Sequence, residues 1–171
     1  DVIFKHLNLL PPLFFVGLWI VLSTYESALL FRINELSVFL FDDLFFEGMM
    51  SRPAGFLHYI SSFFVQFFYY PALGAAIYVA LLYAVYKLVV KVFDLPQSYR
   101  LLAMVPVLVL LASNTQLGYW IYYLKQPGYW YMALIATLLF LLSLWCFKYL
   151  NGALRVIFVV LWCFIGYPLF G

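Results

Sequence analysis

The chain has 171 residues, of which 68% are hydrophobic, 23% aromatic and only 9% charged, and its mean hydropathy is +1.04. Soluble domains carry about 25% charged residues, so this chain lacks the polar surface of a soluble fold and lipid is expected to be its solvent. The net charge of +2 indicates no nucleic-acid partner. The sequence also lacks zinc-type Cys/His spacing and a glycine-rich phosphate loop.

Apolar segments of membrane-spanning length predict an all-α polytopic transmembrane helical bundle with about five spans. Pro11 and Pro12 open the first span and Pro71 opens the second, because a proline in the first helical turn loses no hydrogen bond. The predicted spans cover about residues 10–31, 71–92, 100–123, 129–149 and 153 to the end. Residues 1–171 are therefore predicted to form a single transmembrane domain. The chain begins with Asp rather than Met, and we expect it to be the N-terminal part of a longer protein.

Polar residues interrupt two of these spans. Glu26 falls in the last third of the first span, where a carboxylate is costly unless it faces protein or water, and Arg32 is its nearest candidate partner. The third span contains Pro106, which predicts a kink. It also contains the polar run 113–116, whose amide side chains, including that of Asn114, are predicted to join helices by hydrogen bonds.

The distribution of basic residues predicts the orientation of the bundle. With the N-terminus in the cytoplasm, six of the nine Lys and Arg residues lie on the cytoplasmic side, in agreement with the positive-inside rule. These six are Lys5, Lys87, Lys91, Arg100, Lys148 and Arg155, and the outer side keeps Arg32, Arg52 and Lys125. The sequence therefore predicts a multi-pass protein of the bacterial inner membrane.

Aromatic residues on both sides of the loop 124–128 predict a belt at the headgroup boundary of the outer side. They are Tyr119, Trp120, Tyr122, Tyr123, Tyr129, Trp130 and Tyr131.

Residues 33–70 then form an outer segment between the first two spans that is too apolar for a free loop. Pro53 and Gly55 divide it into two predicted amphipathic helices, which form an extracytoplasmic interfacial hairpin. At 100° per residue, the carboxylates of the first half share an arc of roughly 140°, opposite the leucine and phenylalanine side chains. These carboxylates are Glu35, Asp42, Asp43 and Glu47.

The second half of the outer segment has a polar arc of similar width, made by His58, Ser61, Ser62 and Gln66. If the two polar arcs face each other, they form a polar pocket at the outer membrane surface. The acidic arc is typical of a solvated helix face, and a metal or catalytic site is the alternative interpretation. His58 is either a hydrogen-bonded polar residue or part of that pocket.

The run NELSVFLFDDLFFEGMMSRPAGFLHYISSFFVQFFYYPALGAAI resembles a family of polytopic inner-membrane proteins of unknown function from the Bacteroidota. Its members carry a Glu before a Leu-Phe-rich helix, then a Pro-Gly turn, then a Gln-Phe-aromatic run into a span. The matching features here are Glu35, Phe39-Leu40-Phe41, Pro53-Ala54-Gly55 and the run from Gln66 to Pro71. Where the family tends to have Gly-Gly after the proline, this chain has Ala54-Gly55. The resemblance covers most of residues 10–170 and implies no activity.

The layout is also similar, more loosely, to that of membrane glycosyltransferases of the GT-C type, which use polyprenyl-phosphate sugars. These enzymes place interfacial helices and an acidic residue in an outer loop after the first span. The similarity implies that Glu35, Asp42 or Asp43 acts as a base or holds a divalent cation against the lipid phosphate. The residues it implies for substrate binding are Arg32, Arg52, His58 and Gln66. An Asp-X-Asp motif is absent from the usual place.

Two functions therefore remain open. The first is lipid-linked sugar transfer at the outer leaflet. The second is a non-catalytic scaffold or anchor for an envelope complex, with the outer hairpin as the docking surface. The expected partners are the lipid bilayer and either a polyprenyl-phosphate lipid or other envelope membrane proteins. A transporter needs polar residues deep in several spans, and they are found mainly in the third.

Overall fold

The computed structural model describes the backbone of residues 9–124 and 128–170, and the side chains of residues 9–114 and 128–166. These parts of the chain contain eight α-helices, and the predicted all-α class is confirmed. The helices are α1 (Leu10–Thr24), α2 (Ser27–Leu36), α3 (Asp43–Met50), α4 (Gly55–Val65), α5 (Pro71–Val92), α6 (Met104–Leu124), α7 (Tyr129–Tyr149) and α8 (Ala153–Phe170). Two 3₁₀ helices, Gln66–Tyr69 and Gln97–Ala103, precede α5 and α6.

Among the described residues, two helices are long and apolar enough to cross a membrane. They are α5, with 22 residues, and α7, with 21. Helices α1 and α2 make a third candidate span as a pair, with an angle of 69° between them. The described residues therefore support membrane crossing by two or three of the about five predicted spans.

The first predicted span is not one continuous helix, because α1 ends at Thr24 and α2 begins at Ser27 in a different direction. The hydroxyls of Ser23 and Thr24 donate to the backbone carbonyl of Ile20 at 3.1 and 2.6 Å. The hydroxyl of Ser27 donates to the carbonyl of Thr24 at 3.1 Å. Such bonds compete with the helix's own hydrogen bonds and favour bending. Glu26, which was predicted inside a span, lies at this break with an exposed side chain.

The first half of the outer segment is also not one helix. Helix α2 ends at Leu36, residues 37–42 are irregular, and α3 begins at Asp43. The prediction of one helix carrying all four carboxylates is therefore wrong. Asp residues are unfavourable in helix interiors and favourable near helix N-termini, where the dipole attracts negative charge, so Asp42 and Asp43 mark a helix start.

The turn between α3 and α4 lies where Pro53 and Gly55 predicted it. Ala54 adopts the left-handed conformation with φ of 55°, which glycine adopts at no steric cost. A Cβ atom on Gly55 would lie 2.1 Å from the carbonyl oxygen of Met49. Glycine is therefore required at residue 55, because the backbone of α3 passes directly against it.

Helix α5 is the centre of the bundle and contacts α1, α2, α6 and α7. The indole nitrogen of Trp19 on α1 donates to the carbonyl of Ala72 at 3.0 Å. On α6, the amide nitrogen of Asn114 donates to the hydroxyl of Tyr78 at 2.8 Å and to the carbonyl of Trp130 at 3.0 Å. The prediction that Asn114 joins helices is confirmed. Gln116, in the same predicted role, lies outside the described side chains.

Two residues of the predicted aromatic belt are buried in this bundle. Trp130 is 4% exposed and Tyr131 is fully buried. The Tyr131 ring stacks on Phe68 at a centroid distance of 5.3 Å, and its hydroxyl donates to the carbonyl of Gly74 at 3.3 Å. The belt prediction is wrong for these two residues, because they pack against α4, α5 and the intervening 3₁₀ helix. The predicted belt residues between 119 and 123 lie outside the described side chains, as do Lys5 and Lys125.

The kink predicted at Pro106 is not formed. The residues before it form the 3₁₀ helix Gln97–Ala103, and α6 begins at Met104. Pro106 therefore stands in the first turn of α6. A proline there removes no intrahelical hydrogen bond and does not break the helix.

We predict that Asn114→Ala destabilises the bundle, because it leaves the hydroxyl of Tyr78 without a partner and removes the bond to the carbonyl of Trp130. The loss is expected to be about 1–3 kcal/mol, measured as a lower midpoint of thermal unfolding in detergent. The matched control is Ser113→Ala, since among the described residues the Ser113 hydroxyl bonds only to the carbonyl of Leu110 on its own helix, at 2.9 Å. Equal losses in both variants would show that Asn114 does not join the helices energetically.

Candidate functional site

The irregular segment 37–42, which leads to the predicted acidic site, is fixed to the bundle at Ser37. The carbonyl of Ser37 accepts a hydrogen bond from the amide nitrogen of Gln66 at 2.8 Å, and its hydroxyl accepts one from the backbone N–H of Gly128 at 3.0 Å. Ser37 is 3% exposed. We call this arrangement of Ser37, Gln66 and Gly128 the Ser37 joint. It connects the segment to α4 and to the start of α7.

Gly128 fits this joint because it has no side chain. Its φ of +77° favours glycine, and a Cβ atom there would lie 2.6 Å from the backbone nitrogen of Ser62 and 2.8 Å from Cβ of Ser61. Ser61 and Ser62 are fully buried, and neither hydroxyl has a hydrogen-bond partner among the described residues. The predicted polar arc of the second helix is therefore partly an internal packing surface.

A neighbouring amide on α2 reinforces the joint. The side-chain nitrogen of Asn34 donates to the carbonyls of Val65 and Gln66 at 3.2 and 3.4 Å. The amide nitrogen of Gln66 makes a second bond, to the carbonyl of Ser62 at 3.3 Å. These bonds add side-chain donors to the backbone carbonyls where α4 passes into the 3₁₀ helix Gln66–Tyr69. Side chains at the end of α2 and at the end of α4 therefore bind each other's backbone, which fixes the position of α2 relative to α4.

The contact between the two halves of the outer segment is aromatic. The Phe39 ring lies 5.0 Å from Tyr59 and 5.5 Å from Phe63 between centroids, and it also contacts Phe41 and Phe45. Aromatic rings bury large apolar areas and favour such edge-to-face arrangements. The predicted polar pocket between two facing polar arcs is wrong, because rings occupy that contact.

The three predicted catalytic carboxylates, Glu35, Asp42 and Asp43, all have exposed side chains. Glu35 pairs with Arg32 at 3.9 Å, with 51% and 59% of their side chains exposed, and the predicted pair between Arg32 and Glu26 is not formed. A pair with this exposure contributes little stability. Asp42 stands at the N-cap position of α3 and Asp43 in its first turn. The structure thus places Glu35 before the segment 37–42, Asp42 at its last position and Asp43 directly after it.

The other predicted site residues are spread over the hairpin. Arg52 is exposed in the turn after α3, and His58 is half-buried on α4. The amide nitrogen of Gln66 is occupied by two backbone carbonyls. Within the described part of the chain, no group of three or more His, Cys, Asp and Glu side chains is placed to hold a metal ion.

Sequence reasoning missed Ser37, Asn34 and Gly128. Ser37 and Asn34 are small polar residues in an apolar context, and only three-dimensional contacts reveal their partners. Gly128 carried a signal, because a glycine at the end of a Pro-Gly loop indicates a positive φ. The sequence does not show that it packs on α4.

A match to a known family tests the resemblance found in the sequence. The profile of a family of unknown function, DUF6057, matches residues 3–171. The chain belongs to this family. The resemblance to a family of unknown function is thus confirmed over nearly the whole chain, whereas its source in the Bacteroidota and the similarity to glycosyltransferases stay predictions. Comparison with curated proteins and with solved structures gives no match.

We predict that Gly128→Ala opens the Ser37 joint, since the added methyl group overlaps the backbone of α4. Overpacking of this kind costs about 1–3 kcal/mol. The expected result is a lower thermal midpoint and faster chymotrypsin cleavage in the Phe-rich segment 39–46.

The matched control for this variant is Gly152→Ala. Gly152 also has a positive φ, of 50°, but no atom lies within 4 Å of the position that a Cβ atom would take there. It therefore carries the backbone strain of about 1–2 kcal/mol without the overlap. Identical cleavage rates in the two variants would contradict a role of Gly128 in holding the segment.

Proposed function

We propose that the chain is a multi-pass protein of the bacterial inner membrane with about five spans. Helices α5 and α7 and the bent pair α1–α2 provide three of these crossings. Helix α6 has 21 residues, which suffice to cross the hydrocarbon. Nearly all described apolar side chains of α8 are exposed, which suits a helix that faces lipid. The two additional crossings are therefore assigned to α6 and α8.

The placement of basic residues supports a cytoplasmic N-terminus in this proposal. Lys148 at the end of α7 pairs with Asp94, just after α5, and donates to the carbonyl of Lys91 at 3.4 Å. The side chain of Arg155, at the start of α8, donates to the carbonyl of Leu150 at 2.6 Å. Basic residues of three helices thus gather at one end of the bundle, as expected for the cytoplasmic side. The hairpin α3–α4 then belongs to the outer side.

For its activity, we propose lipid-linked sugar transfer at the outer leaflet. The observation that carries this proposal is the combination of exposed carboxylates with a rigidly held segment. Glu35 and Asp43 flank residues 37–42, which the Ser37 joint fixes to the bundle. A catalytic group needs such a fixed position relative to its substrate.

The proposed chemistry uses one carboxylate as the general base. Glu35 or Asp43 takes the proton of an acceptor hydroxyl, whose oxygen attacks the anomeric carbon as the bond to the polyprenyl phosphate breaks. Arg32 and Arg52 are assigned to the lipid phosphate, since both lie on the hairpin side in the described part of the chain and guanidinium groups match phosphate geometry. A divalent cation held between Asp42, Asp43 and the phosphate is the alternative way to stabilise the leaving group.

We predict that Glu35→Gln or Asp43→Asn abolishes sugar transfer by the full-length protein in vesicles that contain a polyprenyl-phosphate sugar. Loss of a general base lowers the rate by about 10²–10⁴-fold. Glu47→Gln is the matched control, because Glu47 is an exposed carboxylate on α3 outside the proposed set. Full activity in both test variants, with unchanged thermal midpoints, would eliminate the catalytic assignment.

A non-catalytic scaffold is the second candidate function, and one observation favours it. The hairpin exposes large apolar side chains next to its carboxylates: Phe41 is 83% exposed and Leu44 is 77% exposed. Exposed apolar clusters of this kind mark sites of contact with lipid or protein. Another envelope membrane protein seated on this surface would bury them.

For the scaffold, we predict that the double variant Phe41→Ser/Leu44→Ser loses stoichiometric co-purification of a membrane partner from gently solubilised membranes. Burial of two such side chains contributes about 1.5–3 kcal/mol each, so the loss should be complete at working concentrations. Asp42→Asn/Asp43→Asn should keep the partner. The opposite pattern, with the partner lost only in the carboxylate variant, would contradict an apolar docking surface.

A further inference from the structure

A cavity of about 550 Å³ lies between α1, α6 and α7. Its volume falls within the range of roughly 300–1,000 Å³ that small-molecule sites occupy. Most of its lining is apolar, with Phe14 and Leu22 on α1 and Leu108 on α6. Three polar residues also line it, namely Glu26, Asn114 and Trp130. None of these three belongs to the proposed transferase site.

The cavity extends along α1, and the polar residue Glu26 lies at its α1–α2 end. Phe14 and Leu22 are separated by about 12 Å along α1, at 1.5 Å per residue. Glu26 follows at the break between α1 and α2, and Trp130 stands at the start of α7. An apolar channel that ends in polar groups matches a molecule with an apolar chain and a polar head.

Two of the polar residues have no side-chain partner in the part of the chain that the structure describes. Among the described residues Glu26 makes no ion pair, and its side chain does not cap α2. Trp130 is 4% exposed, and its indole N–H has no hydrogen-bond partner in the described part of the chain. A buried donor without a partner costs about 1–3 kcal/mol, and an acceptor oxygen at this N–H would offset that cost.

We propose that this cavity holds an acyl chain of a membrane phospholipid whose head group carries a primary amine. The ammonium group of such a lipid pairs with the carboxylate of Glu26, and an ester or phosphate oxygen accepts the N–H of Trp130. An anionic lipid without an amine places its phosphate near the carboxylate of Glu26, and no positive charge of the head group offsets the repulsion. A choline head group carries a positive charge but no N–H donor for the carboxylate.

Native mass spectrometry of the purified full-length protein tests this proposal. The protein is incubated with equal amounts of phosphatidylethanolamine, phosphatidylcholine and phosphatidylglycerol that carry the same acyl chains. We expect phosphatidylethanolamine to be retained about fivefold over phosphatidylglycerol, which corresponds to ~1 kcal/mol, with phosphatidylcholine between them. Equal retention of all three lipids, or a preference for phosphatidylglycerol, overturns the proposal.

Variants locate the site. Glu26→Gln should abolish the preference for phosphatidylethanolamine. Glu47→Gln, which removes an exposed carboxylate on α3, should keep that preference. Leu108→Trp fills the cavity and should reduce retention of phosphatidylethanolamine. If Leu108→Trp lowers the thermal midpoint, Glu26→Gln decides the test, because the side chain of Glu26 is exposed and its substitution does not disturb the core. A preference that persists in Glu26→Gln overturns the assignment. The measurement needs no sugar donor, so it is independent of the proposed transfer reaction.

Discussion

The amide of Asn114 shows the constraint on which this bundle depends: a polar group that is buried among apolar helices needs a hydrogen-bond partner, and the hydrocarbon chains of the lipid offer none. Its nitrogen reaches Tyr78 on α5 and the backbone of Trp130 on α7. The position of α6 relative to both helices is thereby fixed. The rings of Tyr78 and Tyr131 meet edge to face at 5.5 Å beside this bond, so polar pairing and aromatic packing support the same arrangement.

The hairpin follows the same rule with different partners. Gln66 and Asn34 donate to its backbone carbonyls, the Ser37 hydroxyl accepts the N–H of Gly128, and its interior is filled by the rings around Phe39. The carboxylates stay outside because burial of a charge is costly unless a partner compensates it. The result is an apolar, well-anchored element that carries charge only on its surface. Such an element suits either proposed function, since a rigid platform serves catalysis and docking alike.

Patterns with a local physical cause could be predicted from the sequence. The helix starts at Pro11 and Pro71, the turn at Pro53–Gly55 and the role of Asn114 follow from proline and glycine geometry and from the behaviour of amides in lipid. Periodicity failed where local effects overrode it, namely side-chain hydrogen bonds to the backbone of α1 and the preference of Asp for helix N-termini. Ser23 and Thr24 ended α1, and Asp42 and Asp43 started a new helix inside the predicted acidic stripe. The burial of Trp130 and Tyr131 depended on long-range packing, which composition does not encode.

The Ser37 joint has a consequence for the order in which the protein is assembled during synthesis. Ser37 and Gly128 are 91 residues apart in the chain, and contacts of such long sequence separation form late. Helices α2 and α4 leave the ribosome well before the partner that fixes the segment between them. Until α7 is inserted, the Ser37 hydroxyl lacks its bond from Gly128 and α4 lacks its packing against α7. During that interval the exposed rings of the hairpin are open to membrane chaperones and to premature partners.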